Sequence, residues 1–520
     1  MKRRLDLCFA ASAMLMLPFA AGAQTLPDDT LVVGLSADAS TFEPAEIRSL
    51  DNANIAEMIF TTLTAIDDEG TIMPRLATSW DVSDDGKTWT YTILPGQTCE
   101  DGAPLTADDV AYSWNRAADP ANAFAGNTPG FVYTSMGFER AEALDDTTVA
   151  IHIRERNSMA LGFTSQVYLH CRESYEAMSE DEIARSPVAS GPYRLVEWRP
   201  SSELMLERWR ESERGHFDRI RFRILPEAST RIAELLAGNV DIITNVLPDQ
   251  SDMINASGVA EVQVVQGLRR MYVGFNQSPQ FEGVAGEAVR DPDVRRALQY
   301  AVDVPLICRQ LLNFECERAT GLVNPPNGHP DLEPYPYDPE TAERLLDEAG
   351  YPRGEDGVRF EITFQAPRGR YLNDANVALA VGSFLTDVGV KTEVELLEWS
   401  SVYVPLIRKH DAGPLFLLGS GGALWSPLYD MALLATVESG PNYTDWSDPK
   451  WFDRWPDVMN AETPEEERAI INEMLQVFYD DGPWLHMYFQ PDFYGVGSRV
   501  DWTARRDERL DLWDARLAED

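Results

Sequence analysis

Residues 70–117 read GTIMPRLATSWDVSDDGKTWTYTILPGQTCEDGAPLTADDVAYSWNRA. From Thr88 to Leu94 the side chains alternate, with Trp89, Tyr91 and Ile93 on one side and Thr88, Thr90 and Thr92 on the other. That period of two predicts a half-buried strand. Asp85-Gly86 tolerate the left-handed turn conformation, so Ser79–Val82 and Lys87–Leu94 are expected to form a hairpin. Pro95-Gly96 ends the strand, Asp101-Gly102 makes a second turn, and Thr106 caps a helix with Asp109 as its capping-box partner. Val110 and Trp114 open the apolar face of that helix.

Working outward, the chain of 520 residues is long enough for about three domains. A hydrophobic content of 44% with 13 Trp supplies ample core. Met1–Ala23 has the form of a secretory signal. Lys2, Arg3 and Arg4 make the basic end, Phe9–Ala20 the apolar centre, and Ala21-Gly22-Ala23 the small-residue cleavage site. The apolar run is shorter than the roughly 20 residues a membrane helix needs. A soluble periplasmic protein, cleaved after Ala23, is therefore expected. Cleavage removes three basic residues and one acidic residue and takes the formal charge from −41 to −43. So acidic a chain excludes nucleic acid and anionic lipid as partners. The mature chain keeps Cys99, Cys171, Cys308 and Cys316, in a compartment that permits disulfides. Four cysteines allow three pairings. The short separation favours Cys308–Cys316, which leaves Cys99–Cys171.

Taken in order, Thr30–Leu35 reads as a strand and Asn54–Leu63 as a helix. Ile220–Leu225, the helix Thr230–Ala237 ended by Gly238, and Val240–Thr244 make a βαβ unit and so a parallel sheet. Met271–Phe275 is a strand leading to Asn276. Asp291-Pro292 and Asp338-Pro339 each start a helix, Thr463-Pro464-Glu465-Glu466 opens another, and Pro483–Phe489 is a further strand. This pattern is α/β with several lobes.

Catalytic signatures are missing. The chain holds no GxSxG, HExxH, Walker lysine motif or dinucleotide fingerprint, no CxxC, and no histidines at metal-ligand spacing. An enzyme is not expected, nor is any cofactor or metal. Two loops carry the binding expectation. After the strand Val358–Gln365 comes Ala-Pro-Arg-Gly-Arg-Tyr (366–371) and a helix beginning near Asn373 and Asp374. Arg368 and Arg370, with Tyr371 beside them, thus stand at a helix N-terminus, which favours an anion, and a guanidinium offers two parallel donors to a carboxylate. After the strand Leu415–Leu418 comes GSGGALWSPLYD (419–430). Trp425 and Tyr429 are candidate pocket walls, and Asp430 a candidate acceptor for a ligand ammonium.

Leu-Ala-Thr-Ser-Trp (76–80), Leu-Pro-Gly (94–96) and Asp-Gly-Ala-Pro-Leu-Thr-Ala-Asp-Asp-Val (101–110) resemble the signature of the extracellular solute-binding proteins of family 5, periplasmic receptors of ATP-driven importers for peptides and nickel. Ser190-Gly191-Pro192-Tyr193, AGNVDII (237–243) and DPDVRRALQYAVD (291–303) extend the resemblance over about residues 30–510. It implies a two-lobed, hinged periplasmic-binding-protein fold with an extra inserted subdomain. The implied layout is lobe I at 24–45, 187–270 and 480–520, the insert at 46–186, and lobe II at 271–479. Met271–Phe275 becomes one of two hinge connections, and Asn276 joins the ligand-binding candidates. The implied function is that of a monomeric receptor that binds a peptide or peptide-like solute between its lobes and delivers it to an ABC permease in the inner membrane. One departure stands out. Dipeptide receptors carry an acid, typically in Gly-Asp-x-x-Asp-Pro, for the α-amino group, where this chain reads Leu-Trp-Ser-Pro (424–427). The expected ligand therefore has an anionic end, held by Arg368 or Arg370 against Trp425. An opine-like conjugate, an oligosaccharide or chelated nickel stays open, and a secreted hydrolase or peptide chaperone is the alternative of another class.

Overall fold

In a computed structural model, the structure describes residues 26–519 other than 212–214, 326, 422–423, 435, 438–439 and 462, with backbone alone for residue 400. The secretory signal lies outside the described residues. The opening stretch folds as its pattern requires. Ala77–Val82 pairs antiparallel with Thr88–Ile93, which in turn pairs with Thr148–Ile153 and through it with Phe138–Asp145. The helix Ala107–Ala118 lies against this four-stranded sheet, burying Val110 and Trp114 completely. Asp109 Oδ2 accepts from the Thr106 backbone N–H and hydroxyl, both at 2.7 Å, the reciprocal half of the capping box.

The rest of the molecule is built on one mixed sheet of ten strands. From one edge to the other these are Val390–Glu398, Phe360–Arg368, Leu415–Gly421, Ala260–Phe275, Trp484–Gly497, Ile242–Ile243, Thr30–Leu35, Arg219–Ile224, Glu203–Arg208 and Tyr193–Arg199. Thr30–Leu35 runs parallel to both Arg219–Ile224 and Ile242–Ile243, the arrangement that the βαβ pattern demands. The expected strand Val240–Thr244 is regular only over Ile242–Ile243, although the Asp241 and Thr244 N–H groups still donate to the Val32 and Gly34 carbonyls at 2.8 and 3.3 Å, and the Asp241 carboxylate accepts the Val32 N–H at 2.8 Å. The expected helix Asn54–Leu63 lies one turn earlier, at Leu50–Ile59, because the Ser49 hydroxyl accepts the Asn52 N–H and so sets its start.

Two strands, Ala260–Phe275 and Trp484–Gly497, carry the chain between the lobes. They pair with each other along most of their length. The Trp484–Gly497 strand also joins Ile242–Ile243 of the first lobe, and Ala260–Phe275 joins Leu415–Gly421 of the second. The crossing is thus made inside strands, and Met271–Phe275 is only the end of one of them. Register shifts at Gln266, Arg270 and Tyr272 mark where the ladder bends. At Gly267 any side chain would collide with the Asp492 carboxylate and the Gln490 carbonyl, so close passage of the two strands requires glycine. The structure bonds Cys99 to Cys171 and Cys308 to Cys316.

Candidate functional site

Two recesses compete for the site. The larger, about 990 Å³, is walled by the inserted subdomain, Ser190–Pro192 and the C-terminal segment 501–516. All its walls belong to the first-lobe side, so lobe closure would not enclose a solute there. The smaller, about 300 Å³, takes its walls from both lobes. Ser49 and Leu50 bring the start of one helix, Arg269 and Leu268 the crossing strand, Gly421 and Tyr429 the second lobe, and Glu508 and Arg509 the C-terminal segment. We place the candidate site in the smaller cavity, because its lining combines the helix start at Ser49–Leu50, the strand Ala260–Phe275 and the segment after Leu415–Gly421.

Its walls carry charges held in pairs. Arg269 Nη2 donates to both oxygens of Glu508 at 2.7 and 2.9 Å. Arg509 pairs with Glu57. Two charged side chains nearby are not paired in this way. Asp51, in the first turn of the helix Leu50–Ile59, makes no hydrogen bond or ion pair among the described residues. Its carboxyl is pushed above the ordinary range by burial and by the Glu508 charge, against the opposing fields of Arg370 and Arg231. Asp492, on the second crossing strand, has one buried carboxylate oxygen without a hydrogen-bond partner among the described residues. Burial and Glu508 raise it well above the usual range, with Arg269 and a hydrogen bond from Gln490 acting the other way.

The residues singled out from the sequence fall into separate places. Arg370 lies over Tyr371 and Trp399, its guanidinium carbon 5.3 Å from each ring centre, and makes no ion pair among the described residues. Tyr371 is buried, donating its hydroxyl to the Gly419 carbonyl at 3.3 Å. Arg368 is exposed at the strand end. The helix N-terminus beside these arginines is already occupied. The carboxylate of Asp374 accepts the N–H groups of Gly369, Arg370, Tyr371 and Ala375 at 2.8–3.0 Å. The backbone amides that an incoming anion would use are consumed within the chain, and only the guanidinium groups are left to offer.

Trp425, at a left-handed φ of 53°, packs against Gly70 of the insert and under Arg506, 5.3 Å from its ring centre, rather than beside Arg368 or Arg370. Tyr429 lines the cavity and stands 5.5 Å from Phe131 and 5.9 Å from Phe163, both in the insert, so that an aromatic cluster joins the lobes. Asp430 is buried in an ion pair with Arg270 at 3.0 Å and accepts the Asn324 N–H at 3.1 Å. In this arrangement it holds the crossing strand to the helix Pro427–Met431 and does not face the cavity. Asn276 is fully buried, with its amide donating to the carbonyls of His410 and Ala412 and accepting from Ser278 N–H. All its polar capacity is spent on a turn.

Asp51, Arg269, Asp492 and Glu508 were not foreseen. One signal was present: Arg269-Arg270 interrupts the otherwise apolar run from Leu268 to Phe275, and two charges inside a strand need partners. Among the described residues no three His, Cys, Asp or Glu side chains converge as metal ligands, and no helix is long and apolar enough to cross a membrane.

Comparison with known proteins agrees with this architecture. Heme-binding protein A of Haemophilus influenzae is 27% identical over 461 residues, covering 82% of this chain and 81% of that protein. The glutathione-binding protein GsiB of Escherichia coli K12 is 24% identical over 471 residues, covering 88% of each. The ABC transporter substrate-binding protein CtaP of Listeria monocytogenes superposes with a TM-score of 0.82 at 19% identity, over 94% of this chain and 99% of that one. These relatives are binding proteins. The family model for the middle region of bacterial extracellular solute-binding proteins, family 5, matches residues 71–442. With that match covering more than half of the chain, the chain belongs to the family 5 extracellular solute-binding proteins.

Proposed function

We propose that this protein is the periplasmic receptor of an ABC importer, which closes its lobes on a peptide or peptide-like solute and hands it to an inner-membrane permease. The observation that carries the reading is the cavity of about 300 Å³ whose walls come from both lobes and from the strand that joins them. Ligand contacts from two lobes exist together only when the lobes are closed, so binding selects the closed form. A cavity of this size lies at the small end for ligand sites and suits a solute of amino-acid to short-peptide dimensions. The named relatives bind unlike compounds, heme in one case and glutathione in another, so the ligand is argued from the walls of this cavity and not from kinship. The walls serve binding alone, and the receptor is not an enzyme. It is secreted with its signal removed after Ala23 and works as a monomer.

Native mass spectrometry of protein purified from its own host tests the reading. One tightly held solute at a ratio of one to one supports it. Turnover of an added peptide pool would make the protein a hydrolase, and weak uniform binding of the pool would make it a chaperone.

A further inference from the structure

We propose that Trp425 is the bolt of lobe closure: carried on the second lobe, its ring seats against Gly70 of the insert and holds the lobes together from outside the interlobe cavity. The inference rests on the reading that the lobes part and close around that cavity. Neither residue is among those that line it, so the contact acts on closure and leaves the choice of solute to the cavity walls.

The seat is shaped for this one side chain. A Cβ at Gly70 would stand 2.5 Å from Trp425 Cβ and 2.6 Å from its Cγ, and Gly70 itself has a left-handed φ of 86°. Only glycine meets both demands. The turn that presents Gly70 is fixed from within, where the Asp67 carboxylate accepts the N–H groups of Glu69 and Thr71 at 3.0 and 2.7 Å. It is fixed from outside by Arg505, which donates to the carbonyls of Ile66 and Asp67 at 3.0 Å. The next residue, Arg506, lies over the Trp425 ring at 5.3 Å. It also donates its Nε–H to the Gln266 carbonyl at 2.9 Å, where the register of the crossing strand begins to shift. Two consecutive residues thus tie together the seat, the bolt and the bend.

The bolt is also strained. Trp425 holds φ at 53°, a region that a bulky side chain occupies only where its surroundings force it there. Its carbonyl accepts the Asn327 side-chain amide, and Asn327 is held in turn by Arg468, which donates to its carbonyl at 2.7 Å. The indole Nε1 is buried without a hydrogen-bond partner among the described residues, and an unmet buried donor is destabilising for as long as the ring stays seated. Burial of the ring and the guanidinium over its face favour the seated state. Backbone strain and the unmet donor oppose it. The balance makes a bolt that a bound solute can throw and that draws back when the solute leaves.

Fluorine NMR of the mature protein labelled with 5-fluorotryptophan tests this, with the Trp425 line assigned by Trp425→Phe and its exposure read from broadening by a soluble gadolinium chelate. Gly70→Ala should raise the exposed-to-seated ratio of Trp425 by about tenfold, the effect of overfilling a packed contact. Gly96→Ala is the control. Gly96 lies in the same insert at a φ of 72° with nothing within 4 Å of where its Cβ would be, so it carries the backbone strain without the collision and should leave Trp425 as in wild type. On a Trp425→Gly background, which removes the colliding atoms, Gly70→Ala should leave the radius of gyration where Trp425→Gly alone sets it. Equal exposure of Trp425 in the Gly70→Ala and Gly96→Ala variants, or a radius that Gly70→Ala still changes on the Trp425→Gly background, overturns the inference. Failure of the receptor reading looks different. If removing the co-purified solute enlarges the radius while Trp425 stays shielded, the lobes close and the bolt falls. If the radius does not change, closure itself falls and takes the bolt with it.

Discussion

At the scale of single residues, burial decides which charges serve the fold and which serve the cleft. Asp430 and Arg270 are 2% and 1% exposed, and removing one partner of a buried pair strands the other in a medium that cannot solvate it. Asp430→Ala should therefore lower the unfolding free energy by about 3–5 kcal/mol, seen in urea denaturation of ligand-free protein. A variant that stayed as stable while losing only ligand affinity would return Asp430 to the cavity. Asp492 predicts the reverse sign. Its carboxyl is raised by burial and by Glu508, against Arg269 and Gln490, so the folded protein holds a proton that the unfolded chain has lost. Such a group destabilises the fold above its raised range, and the penalty fades as pH falls toward the ordinary carboxylate value. Asp492→Asn should be more stable than wild type near neutral pH, with the gap closing on acidification. A gap that widened in acid would contradict the assignment. His486 acts independently of this difference. Burial, with the Arg318 charge, takes it down to about 3, so it costs both proteins stability alike as pH drops below the histidine range.

At the scale of elements, caps and closures show what could be read in advance. Thr106 with Asp109, Asp291-Pro292, Asp338-Pro339 and Thr463-Pro464 each start a helix where their local chemistry says one must start. The strands Thr30–Leu35 and Thr88–Ile93 likewise follow their alternation or apolar run. Asp374 was legible only as part of a helix start. That its carboxylate would gather four N–H groups depends on the loop 369–373 folding back, which no local pattern encodes. Asp374→Ala should cost about 2 kcal/mol, the upper end for a lost cap, and loosen Arg370 with its loop. Unchanged thermal stability would show the cap to be dispensable. The bond between Cys99 and Cys171 spans a separation of 72 residues. Chain entropy alone gives such a closure about 4 kcal/mol, so a Cys99→Ser, Cys171→Ser double variant should melt well below wild type, and equal melting would mean that the insert is held by packing alone. The cavity walls were the least legible part. Ser49, Arg269 and Glu508 are separated by hundreds of residues and meet only because the crossing strand and the C-terminal segment pass the same helix.

At the scale of the whole molecule, two strands shared by both lobes let one lobe swing against the other without breaking the sheet. Their register is irregular from Gln266 to Tyr272 and passes at Gly267, which places the bend beside the cavity. Across the cleft, Tyr429 meets Phe131 and Phe163, and Trp425 meets Gly70, so closure gains aromatic contact as well as ligand contact. Each aromatic pair is worth about 0.5–1.5 kcal/mol beyond its buried area. Tyr429→Ala should accordingly shift the ligand-free population toward the open form and weaken binding, although the residue carries no charge. The most direct test of the account is X-ray scattering on the mature protein, first freed of its co-purified solute and then resaturated with it. The account predicts a larger radius of gyration without the solute, its return to the smaller value on addition, and a stoichiometry of one at the end of the titration. An identical radius in the two states, with the solute demonstrably bound, would contradict closure of the lobes around the cavity.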